Sequence, residues 1–361
     1  MANKLASAKD LLGECFIAGF PGKTISPETT EFWKKTKMGG TLIFAHNYDN
    51  PEQVLALCNQ IQSHRNDLPL WISVDHEGGR VQRFKKGFTL IPKALAIAKT
   101  KSVKLDYEIS VLTAKELASV GININFTPVA DVNTNPDNTV IGDRAYGDDA
   151  EIVAEFVSAT TRGHLENDVQ PCVKHFPGHG DTNTDSHFAL PRVDTDAETI
   201  RRREFLPFIS GFKAGCNLVM TAHMLVPSLD PKNTATMSPK ILKDILRGEL
   251  GFKGLIISDD LEMKAITDHF GEEDSPRLAL EAGCDLLIYR SEPATRKAYQ
   301  ALMNFLDKGD LKPEIIIVAA ERSMELKRKV LLPYSDAKWE KAKSILATPE
   351  HKKLVEQIPA L

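Results

Sequence analysis

Eight short runs rich in β-branched and other apolar residues punctuate this chain: ECFIAGF, GGTLIFAH, LWISVDH, ININFTP, QPCVKH, NLVMTAH, GLIISDD and CDLLIYR. Longer stretches of helical character separate them: Pro27 to Met38, Pro51 to Arg65, Val103 to Val120, Asp149 to Asn167, Asp196 to Ala214, Ser238 to Leu250 and Glu272 to Ala282. Several of these open on a capping residue or an early proline, and the third, sixth and seventh are closely followed by Gly121, Gly251 and Gly283. Short strands alternating with helices can bury their apolar faces in few ways, and all of them are α/β folds with a parallel sheet. Eight such units point to a (β/α)8 TIM-like barrel. Periodicity alone does not separate that barrel from a doubly wound open sheet. A barrel needs about 250 residues, and the chain has 361. The charged, helix-patterned region from about residue 291 is therefore expected as a C-terminal helical extension that closes or buttresses the barrel. No glycine- or proline-rich linker sets it apart, so residues 1–361 are expected to form one domain.

Polar residues mark the ends of these strands: His46, Asp75, Asp131, Lys174 with His175, His223, and Asp259 with Asp260. In a parallel barrel those ends converge on the face where active sites lie. The densest group is KHFPGHGDTNTDSH, residues 174–187, where His175, Asp181, Asp185 and His187 share one loop with Gly178 and Gly180. On composition alone such a loop is also a solvated turn. His175, His179, Asp181 and His187 are also suitable zinc ligands, although their spacing is not that of a helical HExxH site. Asp185 stands two residues before His187 and can accept a hydrogen bond from its ring, which would orient the imidazole and favour its protonated form. Alternatively it shapes an Asx-turn.

A retaining glycosidase needs one group to protonate the leaving oxygen and one carboxylate to attack the anomeric carbon. Asp259 or Asp260 at the end of the seventh strand and the Asp185–His187 pair after the fifth can face each other across a barrel mouth. On chemistry alone the two adjacent aspartates are equally plausible nucleophiles. Carboxylate and imidazole together fill both roles, so no metal is expected. The loop from Gly178 to His187 has small polar residues and no apolar anchor. It is expected to move and to carry the acid towards bound sugar.

Composition excludes other classes. A net charge of −4 with interspersed signs leaves no electrostatic footprint for nucleic acid or an anionic membrane. No apolar run reaches roughly 18 residues, and the N-terminal sixteen residues lack a signal-peptide core. Cys15, Cys58, Cys172, Cys216 and Cys284 are scattered singly and read as buried free thiols. A cytoplasmic monomer is the expectation.

Five motifs add a family resemblance. VDHEGGRVQRF from Val74, VIGDRAYG from Val140, KHFPGHGDTNTDSH from Lys174, TAHM from Thr221 and SDDLEM from Ser258 together resemble, in order, the β-N-acetylglucosaminidases of glycoside hydrolase family 3. The resemblance runs from about Gly19 to Tyr289. It implies a (β/α)8 barrel, a two-step retaining mechanism and no cofactor. It also implies Asp259 as the nucleophile, His187 as the acid/base with Asp185 as its partner, and Asp75, Arg83, Arg144, Lys174 and His175 as holders of the sugar. Cytosolic members of this length resemble enzymes of peptidoglycan recycling, which take N-acetylglucosamine from 1,6-anhydro-N-acetylmuramyl peptides. Many members have an arginine before Asn47, where this chain has His46. Two other functions fit the same motifs: a glycoside phosphorylase, because a histidine repels incoming phosphate less than a glutamate would, and a sugar-binding protein that has lost the chemistry. The intact set of Asp185, His187 and Asp259 argues against the second.

Overall fold

Eight parallel strands close into a barrel in the order of the chain: β1 (Phe16–Ala18), β2 (Gly40–Ile43), β3 (Trp71–Val74), β4 (Ile124–Asn125), β5 (Gln170–Phe176), β6 (Leu218–Thr221), β7 (Leu255–Asp260) and β8 (Leu286–Tyr289). The computed structural model describes residues 2–64, 67–182 and 190–359. β1 pairs with β2 on one side and with β8 on the other, which excludes the open sheet. Each of the eight apolar runs supplies one strand, so the (β/α)8 expectation holds.

Helices cross between the strands where the pattern placed them, and their ends show why. Ser26, Asn50, Ser102, Asp149 and Asp196 each accept a hydrogen bond from a backbone N–H in the first turn of the helix that follows. Pro27 and Pro51 occupy first-turn positions that need no donor. The stretch from Asp196 to Ala214 is two helices, Ala197–Arg203 and Phe205–Lys213, instead of one. Pro207 has no N–H to give the carbonyl of Arg203, so the helix breaks at Glu204. Ser238 to Leu250 is also corrected: Lys240–Glu249 winds as a π-helix. β4 keeps only two residues of ININFTP, because Pro128 cannot donate to a ladder; pairing resumes at Val129 opposite Lys174. The helix Ala2–Leu11 and two short hairpins were not foreseen.

Inside the barrel, alternate residues of each strand point to the axis, as with Leu218 and Met220, Leu255 and Ile257, and Leu286 and Ile288. Leu326, Val330 and Leu331 pack against the same cluster from the C-terminal region. There Lys327 is wholly buried, pairs with Glu14 at 2.6 Å and donates to the carbonyl of Gly39 at 2.7 Å. Ser323 bridges the Trp71 indole N–H and Glu14. The helix Pro313–Val330 thus seals the end of the barrel where β1, β2 and β3 begin. Removing one member of a buried ion pair strands the other charge, so Lys327→Ala is expected to cost about 3–5 kcal/mol. Urea unfolding measures it, and a loss below about 1 kcal/mol would mean the pair is solvated.

All five cysteines are buried and free. Among the described residues, no helix is long and apolar enough to cross a membrane.

Candidate active site

The opposite end of the barrel, where the strands finish, gathers most of the charged side chains singled out by the sequence. β3 stops at Asp75, and a hairpin of His76–Gly78 against Val81–Gln82 brings the chain straight back. The turn passes through Gly78 at φ +99 and Gly79 at φ +54, conformations that a side chain would strain. It returns Arg83 to Asp75, with guanidinium to carboxylate at 3.2 Å.

Lys174, 1% exposed, donates to Asp75 at 2.9 Å and pairs with Glu77 at 2.6 Å. Glu77 in turn takes both arms of Arg144 at 2.8 Å each. Burial alone would raise both carboxyl pKa values, yet Lys174 and Arg83 hold Asp75 well below the usual range, and Lys174 and Arg144 lower Glu77. Burial likewise opposes the charge on Lys174, and Asp75 and Glu77 more than offset it. The network stays fully ionised at neutral pH.

Two irregularities in the sheet put the site residues where they are. Between the pairs Val173↔Val219 and Phe176↔Thr221, β5 advances three residues while β6 advances two. Between Ile257↔Leu286 and Asp260↔Ile288, β7 does the same against β8. Such bulges break strict alternation and re-aim side chains. Lys174 with His175, and Asp259 with Asp260, are the residues at these breaks.

His175 is held by Asp131, which is 0% exposed. One oxygen of Asp131 takes the ring Nδ1 of His175 at 2.7 Å; the other accepts the backbone N–H of His175 at 3.1 Å and of His179 at 2.6 Å. Burial would raise Asp131, but His175 beside it keeps its carboxyl low. The ring of His223 sits between the Thr236 hydroxyl at 2.8 Å and the carbonyl of Asp260 at 3.0 Å, and burial pushes its pKa down.

Geometry separates the two aspartates that chemistry left equal. Asp260 is committed: one oxygen accepts the N–H of Glu262 at 3.0 Å, and the other pairs with Arg290 at 3.0 Å. Burial raises its pKa to about 6. Asp259 accepts only the N–H of Asp260, at 2.8 Å, leaving its second oxygen without a hydrogen bond among the described residues. It lies near enough to His179 and His223 for its charge to act on both rings.

Asp185 and His187 lie outside the described residues. The residues before them correct the expectation of a loosely held loop, at least for Gly178 to Thr182. A Cβ on Gly180 would meet the carbonyl of Val132 at 1.9 Å. Asn138 donates to the carbonyl of His179 at 2.8 Å and to the hydroxyl of Thr182 at 3.0 Å. Polar anchoring from the loop after β4 does here what apolar burial was thought necessary to do. His46 is exposed, stacks on Phe44 at 5.6 Å and has its ring Nε2 3.2 Å from the carbonyl of Phe20; the Arg83 guanidinium lies over the same Phe44 ring at 6.0 Å.

Glu77 was not singled out in the sequence, although it sits inside VDHEGGRVQRF; a carboxylate two residues from Asp75 on a tight hairpin was the signal. Among the described residues, no group of three or more His, Cys, Asp or Glu side chains is placed to hold a metal ion. A cavity of about 540 Å³ lies elsewhere, between the π-helix and the helix Pro313–Val330, and none of these residues lines it.

Comparison with known proteins covers nearly the whole chain. Residues 11–326 match the model of the glycosyl hydrolase family 3 N-terminal domain. Beta-hexosaminidase A of Pseudoalteromonas piscicida is 36% identical over 358 residues, covering 92% of this chain; the chain spans only 60% of that protein's length. The structure of a glycoside hydrolase family 3 β-N-acetylglucosaminidase from Paenibacillus superposes with a TM-score of 0.89 at 35% identity, over 97% of this chain and 68% of the other. NagZ from Neisseria gonorrhoeae, solved in complex with N-trifluoroacetyl-D-glucosamine, gives 0.79 at 27% identity, over 95% and 96%.

Proposed function

Because this chain belongs to glycosyl hydrolase family 3, we propose that it is a retaining, exo-acting β-N-acetylglucosaminidase that removes terminal N-acetylglucosamine from muropeptides. The observation that carries this reading is the setting of Asp259: a carboxylate with one oxygen free of hydrogen bonds among the described residues, at the end of β7, near the His179 and His223 rings and at the same barrel end as the ionised Asp75–Lys174–Glu77 network.

In this reading Asp75, Arg83, Arg144, Lys174 and His175 hold the hydroxyl and acetamido groups of the sugar. A carboxylate oxygen of Asp259 attacks the anomeric carbon as the bond to the leaving oxygen breaks, and that oxygen takes its proton from His187. Water then gives a proton back to His187 and attacks the same carbon, releasing Asp259. Asp185 keeps the imidazole oriented. No cofactor enters the cycle. The family members solved with a glucosamine derivative and described as β-N-acetylglucosaminidases support the choice of sugar. The muropeptide aglycone, a cytoplasmic role in peptidoglycan recycling and a monomeric state belong to the proposal.

Incubation with GlcNAc-1,6-anhydroMurNAc peptides and with chitobiose, each with and without phosphate, followed by product mass analysis, tests it. Free N-acetylglucosamine released from the anhydromuropeptide in both buffers is the expected result. N-acetylglucosamine 1-phosphate appearing with phosphate would make the enzyme a phosphorylase, and no release from any substrate would leave a binding protein.

A further inference from the structure

Asp185 and His187 lie in residues 183–189, outside the described residues, and the two stems on either side of them, ending at Thr182 and beginning at Leu190, are joined by a feature that the reaction above does not use. Asp181, on the first stem, accepts hydrogen bonds on one oxygen from Thr195, on the second stem, at 2.5 Å, and from Arg203 at 2.8 Å. Arg203 turns the other edge of its guanidinium to Glu204 at 2.6 Å. Glu204 sits at the break between the helices Ala197–Arg203 and Phe205–Lys213, 1% exposed. Its second oxygen has no hydrogen-bond partner among the described residues. That oxygen lies 2.7 Å from where a Cβ on Gly178 would sit, so the side chain packs directly on the start of the loop. The second stem is fixed independently as well, by Val193 N–H to the carbonyl of Leu225 at 3.0 Å and by Leu225 N–H to that of Pro191 at 2.8 Å.

A buried carboxylate with one unsatisfied oxygen is costly and calls for a reason. Burial pushes Glu204 up to about 7, and Arg203 beside it opposes that rise. The contacts of Asp181 with Thr195 and Arg203 close a thirteen-residue interval of chain between the stems, and closing any such interval has an entropic cost that grows with its length.

We propose that Asp181, Arg203 and Glu204 are positioning residues: together they hold the two stems that flank Asp185 and His187 at a set separation, and so set where the proton donor is delivered. This rests on the reading of His187 as the acid. An arginine suits the task because its planar fork serves two carboxylates at once, which a lysine cannot reproduce.

The test compares Arg203→Ala, Arg203→Lys and Asp181→Asn with the unaltered protein on two substrates: chitobiose, whose leaving group needs a proton, and 2,4-dinitrophenyl N-acetylglucosaminide, whose leaving group does not. Arg203→Ala and Asp181→Asn should lose about 10-fold or more in kcat/KM on chitobiose and less than about 3-fold on the aryl glycoside, with Arg203→Lys in between. Amide hydrogen exchange across His179–Thr182 should quicken in Arg203→Ala and Asp181→Asn, a readout that needs no turnover. Equal loss on both substrates, or no loss on either, would overturn the positioning role, and unchanged exchange would show that there is no tether. An unaltered protein that turns over neither substrate would instead sink the proposed function, while the exchange result would still decide whether the tether exists.

Discussion

Replacing Asp259 by Asn should lower kcat/KM on an aryl N-acetylglucosaminide by roughly 10⁴-fold or more, because a covalent route loses its attacking oxygen and water has no equivalent approach. At about 1.36 kcal/mol per decade, that is on the order of 5–6 kcal/mol of lost transition-state stabilisation. Among the described residues the side chain makes one hydrogen bond, accepting the N–H of Asp260, so the asparagine oxygen can keep it and the fold should survive with its melting temperature little changed. Asp260→Asn is the matched comparison. It weakens the contact with Arg290 and disturbs the turn to Glu262 but removes no nucleophile, so a loss within about 100-fold is expected. With Asp259→Ala, added azide should restore turnover of an activated substrate and yield an α-glycosyl azide, since a small anion can occupy the vacated face. Near-normal activity in Asp259→Asn together with collapse in Asp260→Asn would reverse the assignment.

The strands were legible because each is a short apolar run bounded by turn residues, and a barrel offers such runs one kind of neighbour. Barrel closure was not legible, because β1 pairing with β8 is a contact between residues about 270 apart that no local pattern records. Candidate-site residues at strand ends were legible as positions for the same reason as the strands, and Asp75, Lys174, His175, Asp259 and Asp260 all stand there. What escaped was the set of groups that hold others. Glu77, sharing Lys174 with Asp75 and clasping Arg144, reads in the sequence as one more polar residue of a glycine turn. The roles of Arg203 and Glu204 depend on a proline three residues further on that breaks the helix beneath the loop. The register breaks in β5 and β7 depend on neighbouring strands and leave no mark in the residues themselves. The expectation of an unanchored loop failed at Gly178–Thr182 because composition was taken to imply absence of anchors. The anchors are Asn138 and Arg203, contributed from elsewhere in the chain.

His187→Ala should divide substrates by their leaving groups. With a sugar leaving group of high pKa, bond cleavage without a proton donor leaves an alkoxide, and a loss of about 10²–10⁴-fold in kcat/KM is expected. With 2,4-dinitrophenolate, which departs without protonation, the first step should keep most of its rate. The second step still needs a base to deprotonate water, so kcat should fall while kcat/KM holds, and the glycosyl-enzyme on Asp259 should accumulate to a level visible by mass spectrometry. Asp185→Asn should shift the same way by a smaller factor, since it weakens the orientation and basicity of the ring without removing it. This pattern also separates the acid from its support: a tether variant such as Arg203→Ala misplaces an intact imidazole, so it should slow chitobiose cleavage but still deglycosylate with the base present, and no intermediate should build up. Equal loss on good and poor leaving groups in His187→Ala would mean that the histidine binds the sugar and that the proton comes from another group at the barrel mouth.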